Sequence, residues 1–568
     1  MVSVSVSPAP IPATTDGPML ELASRLGVTA TIANWLARRG LSDVEAARRF
    51  LAPRLAALTP PDAMADRSAA AERIAHAVRR REKIAVFGDY DCDGMTAAAI
   101  MTEVLTALDG DVVTFVGSRF EGGYGLAPAA VERLLASGAS LVVTCDCGSS
   151  DHAALERLRE RGVESVVIDH HLVPSEPLPA LAFLNPHRPD CGFPFKGLAS
   201  CGLALSIGAA IRTALGRTLD LKSLLDLVAI GTIADVAPLV DDNRALVRAG
   251  LALLGEARRP GLRALCDLAG IAPGAPLGSD DVSFRIAPRL NAPGRLGSPE
   301  PALQLLLERN RERAEALAAT LESVSLERRA LQDRMLDEAL AEIREEGYED
   351  RGAIVLGREG WGTGIVGIVA GRLADRFARP VVVVGFENGQ GRGSVRGPRG
   401  ARLHDALGRT SELLVRFGGH QAAAGLELEL VRLAEFREAF EAAVAVESAP
   451  RDGVPASPAI DPADGVLRLV SGDSPNRVLA DLALLEPCGL GNPHPEIELE
   501  ADVLVAREVT GGHLKLELDV AGARLGAFGV GMGARASEIG KTTVLSGRLR
   551  RDTYRGGDAV ELKITRLG

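Results

Sequence analysis

Cysteine is scarce and carries no pattern. The seven cysteines (92, 145, 147, 191, 201, 266, 488) are odd in number, scattered and free of any CxxC pair, which excludes a disulfide framework and a structural zinc knuckle. No apolar run approaches the ~18 residues that cross a bilayer. The opening stretch MVSVSVSPAPIPATTDG lacks the basic segment and apolar core of an export signal. The expectation is a cytoplasmic protein with no membrane partner. Positive charge is not in excess either, since 64 basic and 75 acidic residues leave a net charge of −11. The molecule as a whole is therefore no polyanion binder. A local basic track would still suffice for nucleic acid, and acids gathered around metal ions lower the total. Aromatic residues make up only 4%, alongside abundant Ala, Arg and Gly, which reads as base-composition bias rather than function.

What is present is a long, globular composition. At roughly 150 residues per domain, 568 residues predict three or four domains. With 46% hydrophobic and 24% charged residues, dominant disorder is excluded. Residues 1–75 read as a tail followed by a small helical region, with Ser42 as an N-cap and Glu45 three residues on. Over 76–255, β-rich runs (KIAVFG, VVTFVG, SLVVTCD, ESVVID) alternate with helical stretches, which predicts βαβ units and a mostly parallel sheet with function at the carboxyl ends of its strands. Residues 256–347 form a connector in which Leu317, Leu321, Val324, Leu331 and Met335 mark one long helix, or two with a break. A second α/β unit occupies 348–447. A Pro-rich linker at 447–463 and a small antiparallel barrel, an OB-fold, fill 448–568. The expected fold class is α/β: two α/β lobes joined by a long helix, plus a C-terminal OB-fold β-barrel.

Chemistry concentrates at strand ends. In GDYDCDG (88–94) an apolar strand ends in Asp89, Asp91 and Asp93 just before a helix. Carboxylates packed so closely repel one another and require cations, and hard oxygen donors suit Mg²⁺ or Mn²⁺. The spacing imitates a calcium loop, but position 12 would be Ile100 instead of glutamate. A second strand, LVVTCDCG, ends in Asp146, and a third, VVIDHHLVP, in Asp169, His170 and His171. A fourth segment, IGTIADVAPL, sets Asp235 in an apolar helical context, where a bare carboxylate is costly. Cys92, Cys145 and Cys147 are candidate soft ligands nearby, although strand alternation turns Cys145 and Cys147 away from the Asp146 side. Between Gln390 and Leu403, Arg392, Arg396, Arg399 and Arg402 occur without an acid among Gly and Ser, a phosphate-binding composition that also fits a solvated loop.

The ordered set DYDCDG, TCDCG, DHH and GTIADV resembles the DHH phosphoesterase superfamily, and GGHQAAAG (418–425) resembles the glycine-rich signature of its associated domain. SRFEGGYGL, PRLNAPGRLG, GRGSVRG and EPCGLGNPHPEIE narrow the resemblance to the RecJ family of bacterial single-strand-specific 5′ exonucleases, over nearly the whole chain from Leu20. The resemblance implies two divalent ions, Mn²⁺ or Mg²⁺. Asp93, Asp146, His170 and Asp235 would hold one ion and Asp91 with Asp89 the other, with Asp146 as the bridge. The implied catalytic residues are His171, Asp91 and Asp146, with His171 against the scissile phosphate and Asp169 orienting the histidines. Substrate would be held by Arg119, Arg295, Ser394, Arg396, Gly419 and His420. The implied activity is 5′-to-3′ exonucleolytic release of mononucleotides from single-stranded DNA in recombination and repair, with a single-strand binding protein and a helicase as partners. The barrel would bind the strand through its basic edge at 548–557, with little base stacking because Phe528 and Tyr554 are its only aromatic residues. Two other readings share the metal motifs: a hydrolase of short oligoribonucleotides or cyclic dinucleotides, and a non-catalytic DNA-binding scaffold. The barrel and helical preface weigh against the first, and the intact acids against the second.

Overall fold

The computed structural model describes residues 17–398, 400–420, 423–448, 466–470, 472–520, 522–552, 556 and 559–567. Arg399, Tyr554, most of the tail and most of the linker lie outside them. The chain divides into two compact units. One comprises Thr59–Ala237 and Ala249–Pro458, the other Met1–Leu58, Pro238–Arg248 and Ala459–Gly568.

The larger unit holds two sheets. Strands β1 (Lys83–Gly88), β2 (Asp111–Val116), β3 (Leu141–Cys145), β4 (Glu164–Ile168) and β5 (Ala182–Leu184) lie in the order β2-β1-β3-β4-β5, every pair parallel. Helices cover both faces, so β3 is buried along its whole length, as the unbroken apolar run LVVTC requires. The second sheet contains β6 (Ile354–Glu359), β7 (Val381–Glu387), β8 (Gln390–Arg396), β9 (Arg416–His420) and β10 (Ala423–Glu429), in the order β6-β7-β8-β10-β9. Only β6 and β7 run parallel there.

Between the sheets in sequence stands the helix Arg311–Glu345, which at 1.5 Å per residue is about 52 Å long. It is separate from Glu300–Leu307, so the stretch 300–345 is two helices with a break. The break comes from Asn310, whose side chain accepts from the Arg313 N–H at 2.9 Å. The C-terminal end of the long helix packs Met335, Ala339 and Ile343 on the core of the second lobe.

The smaller unit is built around a barrel. Strands β12 (Glu496–Val509), β13 (His513–Val520), β14 (Ala523–Gly529), β15 (Thr542–Arg551) and β16 (Val560–Leu567) close into a ring through β12–β15 pairing, and β11 (Val466–Arg468) adds outside β12. The barrel is not purely antiparallel, because β14 pairs parallel with β16, and β11 with β12. The N-terminal helices Ala30–Arg38 and Val44–Leu51 are no separate module: Ile32, Trp35 and Leu36 share one core with Ile497, Leu514 and Leu516. The second of these helices is capped by Asp43, not Ser42. Residues 238–248, expected within 76–255, belong here because Arg244 is buried among carbonyls of 484–487.

Candidate metal centre and phosphate pocket

The carboxyl ends of β1, β3 and β4 bring the first three motifs to one edge. Asp91 caps the helix Cys92–Ala107, accepting from the N–H groups of Asp93 (3.0 Å) and Gly94 (3.1 Å). A Cβ on Gly94 would lie 2.6 Å from Asp89 N and O, so only glycine permits this turn. Asp93 accepts the N–H groups of Ser200 (2.7 Å) and Cys201 (2.9 Å) at the start of the helix Ser200–Ala214. Asp146 leaves β3 at φ +66°, a conformation rare for a non-glycine residue, and accepts from Ser200 Oγ at 3.0 Å. Asp235 follows the helix Leu225–Ala234 and completes the cluster.

His170 Nε2 lies 3.2 Å from Asp146, 3.7 Å from Asp235 and 3.8 Å from Asp93. None of these approaches meets the geometry of a hydrogen bond, and both Nε2 and Asp89 Oδ1 are buried without a hydrogen-bond partner. Potential ligand atoms fall within 4.8 Å of one another in overlapping groups: Asp93, His170 and Asp235; Asp89, Asp91 and Asp146; Asp146, His170 and His171. Burial and the neighbouring Asp91 push the Asp89 carboxyl well up, and burial with Asp93 and Asp91 does the same to Asp146. Asp235 is pushed up to about 8 by burial and by Asp93 and Asp91. Such a cluster fits divalent cations, which would satisfy the orphaned atoms and remove the repulsion.

Asp169 is fully buried and orients the histidine turn. Its carboxylate accepts from the N–H of His170 (2.8 Å), the N–H of Ser149 (2.9 Å) and His171 Nδ1 (2.8 Å). Burial alone would raise Asp169, yet the His171 and Ser149 hydrogen bonds hold it down to about 2. Burial opposes charge on His171, but Asp169 raises that ring to about 9. Tyr124 O–H stands 2.9 Å from His171 Nδ1 and donates to the Asp146 carbonyl at 3.1 Å, and Asn185 donates to the His171 carbonyl at 2.8 Å. Tyr124, Asn185 and Ser200 were missed as site residues. Only Tyr124 had a signal, its place in SRFEGGYGL. Cys145 and Cys147 are buried outside the ligand groups found among the described residues, and Cys92 Sγ donates to the Ala287 carbonyl.

Beside this edge opens a cleft of about 400 Å³ between the two lobes of the larger unit, with Tyr90, Arg119, Tyr124 and Ser394 in its walls. Arg119 lies 4.4 Å over the Tyr90 ring, its buried Nε without a partner. Ser394 Oγ and Arg396 Nη2 both crowd the space over Gly367, where a Cβ would meet them at 3.1 and 3.2 Å. Arg295 donates to the Gly364 carbonyl at 3.3 Å, and burial with the nearby Arg119 lowers it to about 10. The rest of the basic run differs from expectation: Arg392 pairs with Glu427 and Arg402 with Glu447. Gly418 and Gly425 line the cleft. Gly419, at φ +134°, has no room for a Cβ against Ala423 and Ala424. The His420 side chain lies outside the described residues.

Residues 83–232 match the model of the DHH family, N-terminal domain, residues 350–446 the DHHA1 domain and residues 470–566 the RecJ OB domain. Fold and site thus define a DHH-family protein with a DHHA1 lobe and an OB barrel. The single-stranded-DNA-specific exonuclease RecJ of Bacillus subtilis is 35% identical over 92% of this chain and 67% of its own length, and that of Dickeya dadantii 37% identical over 80% and 81%. The crystal structure of RecJ in complex with Mn²⁺ from Thermus thermophilus superposes with a TM-score of 0.81 at 32% identity, covering 97% of this chain and 78% of that one. Its Mg²⁺ complex gives 0.74 at 30% identity, covering 97% and 76%. The chain belongs to the RecJ family.

Proposed function

We propose that this protein is a metal-dependent exonuclease that enters single-stranded DNA at the 5′ end and releases 5′ mononucleotides, in DNA recombination and repair. The observation that carries the reading is the convergence of mutually repelling carboxylates, with Asp89 Oδ1 and His170 Nε2 left unbonded, on one sheet edge, next to a cleft in whose wall Arg119 has no carboxylate partner among the described residues. Asp89, Asp91, Asp93, Asp146, His170 and Asp235 hold two divalent ions, Mn²⁺ or Mg²⁺, with Asp146 shared. Bound there, the ions lower the pKa of a water and neutralise charge developing on the phosphoryl oxygens.

The chain's own residues do the rest. Asp169 and Tyr124 engage His171 through Nδ1, so that its Nε2 gives a proton to the departing 3′ oxygen of the terminal nucleotide. Arg119, Arg295, Ser394 and Arg396 hold the 5′ phosphate, and Gly419 and His420 bind phosphate in the second lobe. The groove between the lobes admits one strand and excludes duplex. The OB barrel adds affinity through backbone charge, which makes binding fall steeply with salt. Among the described residues no helix is long and apolar enough to cross a membrane. A cytoplasmic location, with a helicase and a single-strand binding protein supplying unpaired strand, fits this chemistry.

The test is digestion of a strand labelled separately at each end, with Mn²⁺, with EDTA and with Asp146→Ala. Early loss of the 5′ label as mononucleotide, abolished by EDTA and by the variant, is expected. Binding without cleavage in both Mn²⁺ and Mg²⁺ would refute hydrolysis, and early loss of the 3′ label would refute the polarity.

A further inference from the structure

The buried face of the long helix Arg311–Glu345 turns polar in its middle. Between Leu321 and Met335 it buries Ser325, Arg328 and Gln332, while the apolar residues expected there, Val324 and Leu331, sit only half-buried. Arg328 is 8% exposed, yet its guanidinium makes one hydrogen bond, Nη1 to Gln332 Oε1 at 3.0 Å, and its Nε has no partner. One turn earlier, Ser325 Oγ is also buried without a partner. Among the described residues no carboxylate pairs with Arg328, and the acid that most favours its charge, Asp333, pairs with Arg372 at 3.0 Å.

The same helix shows that the fold can compensate such a charge. Arg289, equally buried at 8% exposure, packs against it and bonds both oxygens of Glu322. An unpaired buried cation costs several kcal/mol, so its retention calls for an anion from outside. The neighbourhood supplies the direction. The short helix Pro293–Leu296, which carries Arg295, packs on the long helix, and Arg295 feels the charges of Arg119 and Arg328. Arg119, Arg295, Arg328 and Arg396 thus form a set of four cations with no carboxylate partner among the described residues.

We infer that Arg328 is a specificity-determining residue of the phosphate pocket. Its uncompensated charge makes the pocket select a terminal phosphate, nearly a dianion at neutral pH, over an internal phosphodiester or a 5′ hydroxyl. This rests on the reading of Arg119, Arg295, Ser394 and Arg396 as that pocket. Gln332 holds the guanidinium in place.

The experiment compares full-length wild type, Arg328→Met, Arg328→Lys and Arg396→Ala on strands of one sequence carrying either a 5′ phosphate or a 5′ hydroxyl. A charged hydrogen-bond partner contributes enough that Arg328→Met should lower the kcat/KM ratio of phosphorylated to hydroxyl strand about tenfold, through KM and not kcat. Its melting temperature should be equal to or above that of wild type, because a methionine removes an unpaired buried charge without leaving a hole. Arg328→Lys should keep the ratio within about twofold, since the charge remains. The inference is overturned if Arg328→Met leaves the ratio unchanged while Arg396→Ala lowers it, or if Arg328→Lys loses the ratio as deeply as Arg328→Met. A wild type that does not distinguish the two strands, with Arg396→Ala no different, overturns the pocket itself.

Discussion

Buried charge is handled in opposite ways in the two units. In the smaller unit Arg244 is 3% exposed and, among the described residues, carries no carboxylate partner at bonding distance, yet its guanidinium donates to the carbonyls of Phe50, Leu484, Leu485, Glu486 and Pro487 and lies 3.9 Å over the Phe50 ring. Burial lowers its pKa to about 10, and every donor is occupied. In the larger unit Asp89, Asp93 and Asp146 are equally buried, but they repel one another and leave Asp89 Oδ1 and His170 Nε2 without hydrogen bonds. Completeness of hydrogen bonding, more than burial, separates a charge that builds the fold from one kept for chemistry.

The most severe test exchanges the two fates. Asp146→Ala should reduce hydrolysis roughly 10³-fold or more. In EDTA it should nonetheless raise the melting temperature, because one repelling carboxylate is gone. A lower melting temperature would break the contrast. Arg244→Met should do the reverse, destabilising the smaller unit by about 3 kcal/mol or more through five stranded carbonyls. Trp35, 1% exposed in that unit's core, reads this out in urea on a Trp361→Phe background. Ser200→Ala removes a hydrogen bond to Asp146 and should raise the Mn²⁺ concentration for half-maximal activity about tenfold, with kcat at saturating Mn²⁺ little changed.

The smallest effect belongs to a pair between the extremes. Glu82 is partly buried, which by itself raises its pKa, but Arg73 and Ser140 bond it and hold the carboxyl below its usual range. Its stabilisation is therefore present above the unfolded carboxyl pKa and lost as pH falls through the folded one. Glu82→Gln should cost under about 1 kcal/mol at neutral pH and nothing once wild-type Glu82 is protonated, as chemical denaturation at pH 7 and pH 3 would read.

The acidic edge was legible because its signal is local: Asp89, Asp91, Asp93, Asp146, His170 and His171 each follow closely on a run of β pattern. Asp235 was legible as an acid in apolar company. Strand and helix alternation likewise marked the parallel sheet, and a run of alternating β segments marked the barrel. Ser200 and Asn185 were hidden because each acts from a different segment, and no periodicity records that meeting. The polar stripe of the long helix was hidden for a related reason, since Val324 and Leu331 offered a plausible apolar face that the packing does not use. Nothing in the segment Pro238–Arg248 marks it as part of the barrel's unit. Only the carbonyls gathered around Arg244 reveal that.

That discontinuous unit sets a constraint on the order of synthesis. Its first segment ends at Leu58 and its last begins at Ala459, with the whole of the larger unit encoded between them. At 5–20 residues per second, roughly 20–80 s pass after Leu58 is made before the barrel that covers Ile32, Trp35 and Leu36 starts to appear. The segment ending at Leu58, translated ahead of the larger unit, is thus among the last to acquire its native surroundings. Ribosome-stalled chains ending near residue 458 should leave Trp35 open to a quencher while Trp361 is already shielded, so the larger unit matures first and the barrel's unit afterwards.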